Sequence, residues 1–256
     1  MTAPETLTVL VVGATGSIGR RVVAHALDAG HTVRALVREE RRAGRLDPRA
    51  EVVVGRLTAA ETLTEAVEGI DAVVFTHGAA YGSDDARDVD YGAVRNVLTA
   101  LGGRPVRIAL MTAIGVTGRS TTHDWKRRSE RLVRASGNRY TIVRPGWFDA
   151  NEPDQLAITF LQGDTRHAGS PADGVIARDQ IARVLVDSLT SPDAGHRTVE
   201  LVAEDGPAPE DLAPLFAATD PDPVGQVDGV RDQANLPASA EPADVTADLQ
   251  RLGATS

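Results

Sequence analysis

Three glycines at a spacing of three residues are the first feature of this sequence that could take part in chemistry. The run Gly13-Ala14-Thr15-Gly16-Ser17-Ile18-Gly19 follows the apolar segment Leu7–Val12 and precedes a helix-like segment. There, the first glycine allows a sharp turn, the second admits a pyrophosphate close to the backbone, and the third lets the helix pack on the sheet. The helix N-terminus offers N–H groups to phosphates, and Thr15 and Ser17 add hydroxyls. A ligand-free turn is the alternative, but the strand-turn-helix context favours a dinucleotide site.

The end of the second predicted strand bears on which dinucleotide is bound. An acidic residue at this point binds the 2′-hydroxyl of NAD, whereas an arginine accepts the 2′-phosphate of NADP. Arg38 occupies the position, and three more arginines follow it within seven residues. A solvated basic loop would show the same residues, and Glu39 and Glu40 keep NAD open. We expect NADP(H) in preference to NAD(H), because a guanidinium is suited to bidentate phosphate contact.

Charge and composition exclude several classes of protein. Of the 27 basic residues, 26 are arginines and one is a lysine, Lys126. Residues 1–203 hold 25 acidic and 25 basic residues, so the net charge of −9 comes from residues 204–256. Without a broad basic field, nucleic acid is not expected as a partner. The sequence has no cysteine and no metal-ligand spacing of histidines, and its first apolar run is too short for a membrane span. We expect a cytoplasmic monomer or homodimer that binds a small-molecule substrate.

The elements that position these residues alternate between strands and helices. Short apolar runs, several of them continuous, predict buried parallel strands, and the segments between them have helical spacing. This pattern predicts an α/β fold with a Rossmann-like, doubly wound parallel sheet over residues 1–203 and a small C-terminal substrate lobe after about residue 149. We expect residues 204–256 to be an acidic, proline-rich tail with short helices at Glu210–Ala218 and Pro242–Leu252. The predicted strands are Leu7–Val12, Thr32–Val37, Glu51–Val54, Ala72–Thr76, Val106–Thr112, Tyr140–Val143 and Thr198–Val202, and the predicted helices are Ile18–Leu27, Glu61–Val67, Val89–Leu101, Trp125–Ala135 and Asp179–Leu189.

Together these segments resemble the atypical branch of the short-chain dehydrogenase/reductase superfamily, with its NAD(P)H-binding, nitrogen-repression-regulator-like and flavin-reductase-like members. The resemblance covers residues 7–203. It implies that the glycine loop holds the pyrophosphate, that Arg38 holds the 2′-phosphate, and that Arg56-Leu57 lies along the adenine. It further places Thr76-His77-Gly78 on the nicotinamide side and Pro145-Gly146-Trp147-Phe148 at the nicotinamide and the substrate pocket. The remaining segments that carry the resemblance are Gly69-Ile70-Asp71-Ala72-Val73-Val74, residues 89–96, residues 125–130 and Tyr140-Thr141-Ile142-Val143-Arg144.

The same resemblance implies a catalytic pair that this chain has only in part. Active members use a tyrosine four residues before a lysine, with a hydroxyl residue near the end of the fifth strand. Lys126 and Thr112 match the lysine and the hydroxyl, but Thr122 stands where the tyrosine is expected. Lys126 then either holds the nicotinamide ribose alone, pairs with a substitute acid such as His123, or is a solvated residue. Asp124 is a second candidate acid, although capping of the helix is the simpler role for it.

These observations favour an NAD(P)H-dependent oxidoreductase acting on a carbonyl, quinone or flavin-like substrate. The alternative is a non-catalytic NAD(P)-binding sensor that binds a protein partner, and the missing tyrosine favours it. A nucleotide-sugar epimerase is a third reading, which the missing tyrosine disfavours. We interpret the basic run Arg127, Arg128, Arg131 and Arg134 as the solvated face of a helix.

Overall fold

One ten-stranded sheet is the frame of the protein. The structure, a computed structural model, describes residues 5–80 and 83–253. Within those ranges the strands are β1 (Thr8–Val12), β2 (Thr32–Val37), β3 (Glu51–Val54), β4 (Ala72–Phe75), β5 (Arg107–Met111), β6 (Arg139–Pro145), β7 (Trp147–Phe148), β8 (Ala157–Leu161), β9 (Val175–Ile176) and β10 (Arg197–Glu204).

The first six strands are parallel and lie in the order β3-β2-β1-β4-β5-β6. This is the strand order of the Rossmann fold, so the predicted fold class is confirmed. The order reverses between β1 and β4, the point at which doubly wound sheets form a ligand-binding crevice at the carboxyl ends of their strands. All seven predicted strands are present, because continuous Val, Ile and Leu runs are typical of strands that helices cover on both faces.

Helices cover the two faces of the sheet. They are α1 (Gly19–Asp28), α2 (Gly92–Leu101), α3 (Thr121–Ala135), α4 (Arg178–Thr190), α5 (Ala213–Ala217) and α6 (Ala243–Gly253). On one face α1 and α4 pack together, and on the other face α2 and α3 lie side by side. A turn of π-helix at Arg87–Tyr91 leads into α2.

One predicted helix is wrong. The segment Glu61–Val67 forms only a 3-10 turn over Ala60–Leu63, followed by irregular turns. The hydroxyl of Thr62 donates to the carbonyl of Ala59 at 2.7 Å and accepts the N–H of Arg56 at 2.9 Å. Such local side-chain bonds compete with the helical hydrogen bonds, so the helical spacing of the apolar residues is not followed here.

The residues after about 149 are built onto the edge of the same sheet. Strand β10 is parallel to β6, while β8 and β9 are antiparallel to β10. Strand β7 continues the path next to β9. The segment that we expected to form a small substrate lobe therefore extends the sheet beyond β6, next to the crevice.

The C-terminal segment, residues 204–253, packs against α3 and neutralises its arginines. Arg127, Arg128, Arg131 and Arg134 are all buried, so the prediction of a solvated helix face is wrong. Arg131 pairs with Asp228 at 2.8 Å and with Glu241 at 2.5 Å. The others pair with the same two carboxylates or with Asp222. The acidic tail and the basic helix thus form one buried ion-pair cluster, which fixes the helix that carries Lys126.

Two classes of feature are missing from the part of the chain that the structure describes. None of its helices is long and apolar enough to cross a membrane. Nor does it bring three or more His, Asp or Glu side chains together in a group able to hold a metal ion.

Candidate functional site

The glycine loop makes a close turn between β1 and α1. Gly13 has a φ of +88°, and a Cβ atom there would lie 2.7 Å from the backbone nitrogen of His77. A Cβ atom on Gly19 would lie 2.1 Å from the carbonyl oxygen of Gly13, so no side chain fits. Gly16 and Ser17 are exposed and Thr15 is half-buried, while Ile18 is buried in the core. The loop therefore presents backbone and hydroxyl groups to the crevice, as a pyrophosphate site requires.

A guanidinium that the sequence reasoning missed lies beside this loop. Arg178, the first residue of α4, donates from Nε to the hydroxyl of Ser17 at 3.1 Å. It also pairs with Asp149 and lies over the ring of Phe148, 5.3 Å from its centre. The Asp149 carboxylate accepts the backbone N–H of Arg178 at 3.0 Å and so caps α4. Arg178 therefore brings a guanidinium, paired with Asp149, to the glycine loop; it is 161 positions from Ser17, so no local motif signals it.

Four exposed arginines surround the ends of β2 and β3. Arg38 follows β2, and Arg56 follows the neighbouring parallel strand β3, so both lie at the same edge of the sheet. Nearby, Arg41 forms an ion pair with Glu39 and neutralises that carboxylate. Across residues 5–80 and 83–253, no side-chain hydrogen bond or ion pair engages the guanidiniums of Arg38, Arg42, Arg45 and Arg56. These four cations are available to an anionic ligand.

Lys126 reaches the end of β4. Its Nζ lies 2.6 Å from Oδ1 of Asp90, and the two side chains are 16% and 3% exposed, so Lys126 is not a solvated lysine. A Cβ atom on Gly78 would lie 3.5 Å from that Nζ. The structure thus brings Lys126 to the Thr76-His77-Gly78 segment, as the family resemblance implies. Asp90 is the partner that the sequence reasoning missed, although the residue is part of a segment that carries the resemblance.

The groups around this ion pair are buried. Within the described ranges, Oδ2 of Asp90 and Nδ1 of His77 are buried without a hydrogen-bond partner. Burial lowers the pKa of His77 to about 4 in spite of the opposing charge of Asp90, so the imidazole is neutral at neutral pH. Thr76 donates its hydroxyl to the carbonyl of Val12 at 3.1 Å and joins β4 to β1. Lys126 therefore supplies the positive charge on this side of the crevice.

The hydroxyl of Thr112 is bonded to a buried carboxylate. Its hydroxyl donates to Oε1 of Glu130 at 2.7 Å, and both residues are buried. Arg144 holds the same carboxylate at 2.7 Å. The hydroxyl is thus directed into the ion-pair cluster between β5 and α3, and no contact joins it to Lys126 in the structure. The sequence placed Thr112 at the correct strand end but could not show which way its hydroxyl is directed.

The two candidate acids at the start of α3, His123 and Asp124, have different partners. The cap of this helix is Ser120, whose hydroxyl accepts the N–H of His123 at 3.2 Å, so the predicted capping by Asp124 is wrong. Asp124 instead pairs with Arg119 at 2.9 Å. His123 is half-buried, and its Nδ1 has no hydrogen-bond partner among the described residues. Thr122, in the tyrosine position, is half-buried on the first turn. Of the candidate acids, His123 keeps an unused nitrogen.

Aromatic side chains lie at the crevice next to the end of β6. A Cβ atom on Gly146 would lie 2.5 Å from the carbonyl oxygen of Gly174, so the chain leaves β6 in close contact with the loop before β9. Trp147 and Phe148 follow on β7 and are 42% and 39% exposed. The Pro145–Phe148 segment thus leaves two aromatic side chains exposed beyond the carboxyl end of β6. Beyond β3, the carbonyl of Leu57 accepts a hydrogen bond from Asn96 at 2.7 Å, which fixes this part of the chain.

Comparison with known proteins agrees with this geometry. The family model described as NAD(P)H-binding matches residues 13–192. A relative from Bacillus subtilis, an uncharacterized sugar epimerase, is 30% identical over 220 residues, which are 81% of this chain and 99% of the relative. A (4-alkanoyl-5-oxo-2,5-dihydrofuran-3-yl)methyl phosphate reductase from Streptomyces griseus is 32% identical and covers 73% of this chain and 64% of its own.

Solved structures share the fold. A putative NAD-dependent epimerase/dehydratase from Bacillus halodurans superposes with a TM-score of 0.69 at 24% identity, over 83% of this chain and 100% of that one. At this identity the likeness concerns the fold alone, and it agrees with the strand order described above. Because the NAD(P)H-binding family model spans 180 residues that include the glycine loop and Lys126, the chain belongs to the NAD(P)H-binding family.

Proposed function

We propose that the protein is an NADPH-dependent oxidoreductase that reduces a small organic acceptor of the quinone, flavin or carbonyl type. The observation that carries this proposal is the Lys126–Asp90 pair. It holds a buried cation next to Gly78, at the same edge of the sheet as the glycine loop. A purely structural lysine would not need a place at this edge, where ligands of doubly wound sheets bind.

The residues fit a bound NADP(H) at both ends. The turn leaves no space for a side chain at Gly13 or Gly19 and exposes the backbone at Gly16, and the guanidinium of Arg178 lies beside it. The unpartnered guanidinium of Arg38, with Arg56 across the neighbouring strand, supports recognition of a 2′-phosphate. When bound, the cofactor would supply a hydride. The chain would bind the phosphates through the glycine loop and orient the nicotinamide end through Lys126.

Proton supply favours acceptors that need little help from the protein. With Thr122 in the tyrosine position and Thr112 bonded to Glu130, neither hydroxyl is an activated donor. Quinones and flavins form reduced products that take their protons from solvent. We therefore propose a flavin- or quinone-type acceptor before a carbonyl. His123 is the candidate donor if a carbonyl is reduced, because its Nδ1 has no hydrogen-bond partner among the described residues.

The test is steady-state oxidation of NADPH with a panel of quinones, flavins and carbonyl compounds. We expect turnover with at least one quinone or flavin. Lys126→Met should lower kcat/KM about 100-fold, the size of loss typical of one electrostatic contact at a reaction centre. The exposed Arg104, in the loop after α2, provides Arg104→Met as a control that should leave kcat/KM unchanged. Unfolding curves of both variants show whether the fold is retained.

A non-catalytic NADP-binding sensor is the second candidate, and the engagement of Thr112 by Glu130 favours it. Tight NADP binding without turnover on any acceptor of the panel would refute the oxidoreductase and favour the sensor. A third outcome, interconversion of nucleotide sugars without net NADPH consumption, would indicate an epimerase. Among the residues that the structure describes, no activated hydroxyl contacts Lys126, which speaks against that chemistry.

A further inference from the structure

A cavity of about 380 Å³ lies beside the strands beyond β6. None of its lining residues has a role in the proposed function. Strands β8 and β10 form one side, and the segments after β5 and after β8 form the other. Among its lining residues are Ile114, Phe160, Arg166, Glu200, Thr219 and Arg231. Polar and charged side chains thus line most of a space that is large enough for a small organic molecule.

The cavity adjoins the nicotinamide side of the crevice. Ile114 lies two residues beyond Thr112, at the carboxyl end of β5. Arg166 lies close to Gly174, because a Cβ atom on Gly174 would be 3.5 Å from its Nη1. The carbonyl of Gly174 in turn lies close to Gly146, the residue that follows β6. A molecule in the cavity would therefore be next to the segment at which the nicotinamide is expected. A substrate site requires this placement.

The cations of the cavity are only partly neutralised. Arg166 is half-buried and donates one hydrogen bond, to the backbone carbonyl of Asp173 at 3.2 Å. In the described ranges no carboxylate forms an ion pair with it. The Asp173 carboxylate instead accepts the backbone N–H groups of residues 168–170. Arg231 pairs with the exposed Asp220 at the rim. Arg166 therefore offers most of its donors to a ligand.

The one carboxyl group in the lining does not cancel this charge fully. Glu200 is 2% exposed, and burial raises its pKa to about 7 although the neighbouring Arg144 opposes the shift. At neutral pH a large fraction of this carboxyl is uncharged. The lining consequently has a surplus of positive charge in a chain whose net charge is −9. Such a local field attracts anions.

We propose that this cavity is the acceptor site and that the acceptor has a carboxylate or phosphate group, which Arg166 binds with Arg231 at the rim. That the bound molecule is an acceptor rests on the proposed oxidoreductase function. The binding of an oxyanion, however, can be measured without turnover. Planar guanidinium groups bind both oxyanions in a bidentate manner. Benzoate and phenyl phosphate distinguish a carboxylate from a phosphate ligand.

The experiment is isothermal titration calorimetry of the full chain with benzoate, its uncharged isostere benzamide, and phenyl phosphate, with and without NADP. We expect benzoate or phenyl phosphate to bind at least about tenfold more tightly than benzamide, as charge-assisted hydrogen bonds predict. Arg166→Gln should remove that preference. The matched control Arg104→Gln changes an exposed arginine far from the cavity and should retain it. Equal binding of benzoate, phenyl phosphate and benzamide, or a preference that survives in Arg166→Gln, would overturn the proposal.

A second variant tests the rim. Asp220→Asn removes the carboxylate that competes for Arg231 and should tighten binding of the preferred anion about threefold or more. Unchanged or weaker binding would remove Arg231 from the site. The assay also separates the two proposals. Anion binding without NADPH oxidation refutes the oxidoreductase alone, whereas NADPH oxidation without an anion preference refutes the anionic acceptor alone.

Discussion

Replacing Arg144 with methionine should lower the free energy of unfolding by about 3–5 kcal/mol. Arg144 is wholly buried in β6. Its guanidinium lies 2.7 Å from Glu130 and 2.7 Å from both oxygens of Asp232, with Glu200 at 3.4 Å. Methionine keeps much of the side-chain volume but leaves the carboxylate of Asp232 buried without its counterion. The expected loss comes mainly from that uncompensated charge rather than from packing.

The pH dependence identifies the origin of the loss. Burial alone would raise the pKa of Asp232, but the hydrogen bonds and charge of Arg144 outweigh it and lower the pKa to about 2. A carboxyl with a depressed folded-state pKa stabilises the protein above its unfolded value, near 3.8, and that contribution is lost as the pH falls toward 2. The shift corresponds to about 2–3 kcal/mol. Arg144→Met should lack this acid-sensitive part of its stability.

The assay is urea unfolding followed by circular dichroism at neutral pH and at several values down to pH 3. The matched control is Arg87→Met, which removes an exposed ion pair between Arg87 and Asp244 of α6 at 2.7 Å. Exposed pairs contribute about 0–1 kcal/mol, so the control should unfold almost as the original protein does. If both variants lose the same small amount, the ion-pair cluster does not stabilise the fold as argued.

Three further predictions concern the cofactor site. Arg38→Ala should raise the Kd for NADPH about 10- to 100-fold and leave the Kd for NADH within about twofold, because only NADPH has the 2′-phosphate. Fluorescence titration measures both constants. Equal losses of affinity for NADPH and NADH would contradict this assignment. Asp90→Asn should lower kcat about tenfold and change the pH profile of kcat, because Lys126 loses its carboxylate partner; an unchanged profile would assign Asp90 to structure alone. Gly19→Ala should abolish NADP binding or folding, because its Cβ would lie 2.1 Å from a carbonyl oxygen, whereas Gly44→Ala, with open space around it, should behave as the original protein. Normal binding by Gly19→Ala would show that the loop is not held as described.

Local patterns were sufficient to predict most of the fold and the glycine turn after β1. The apolar runs mark strands β1 to β6 and β10, because most of these runs are continuous stretches that the fold buries. The glycine spacing predicts the turn after β1, because positive φ and close backbone contact at Gly13 depend on residue type alone. The short strands β7 and β9 could not be predicted, since two residues have no periodicity to detect.

Contacts between distant parts of the chain account for what the sequence did not show. Arg127 and Arg131 have the spacing of a solvated charged face, and only the fold shows that Asp228 lies across from them. The same is true of Asp90, which is 36 positions from Lys126, and of Arg178 near Ser17. In each case two residues of ordinary type meet through the topology. Position along the chain does not reveal such a pair.

The contact between α3 and the C-terminal segment also has a consequence for the order of folding. The arginines of α3 and Arg144 are separated from their C-terminal carboxylates by between 88 and 113 positions. During synthesis, the helix that carries Lys126 is complete long before its counterions emerge from the ribosome. Its guanidiniums stay hydrated until residues 222–241 arrive, and forming these non-local pairs closes a long loop. We therefore expect the crevice to become rigid only after residues 222–241 have been synthesised.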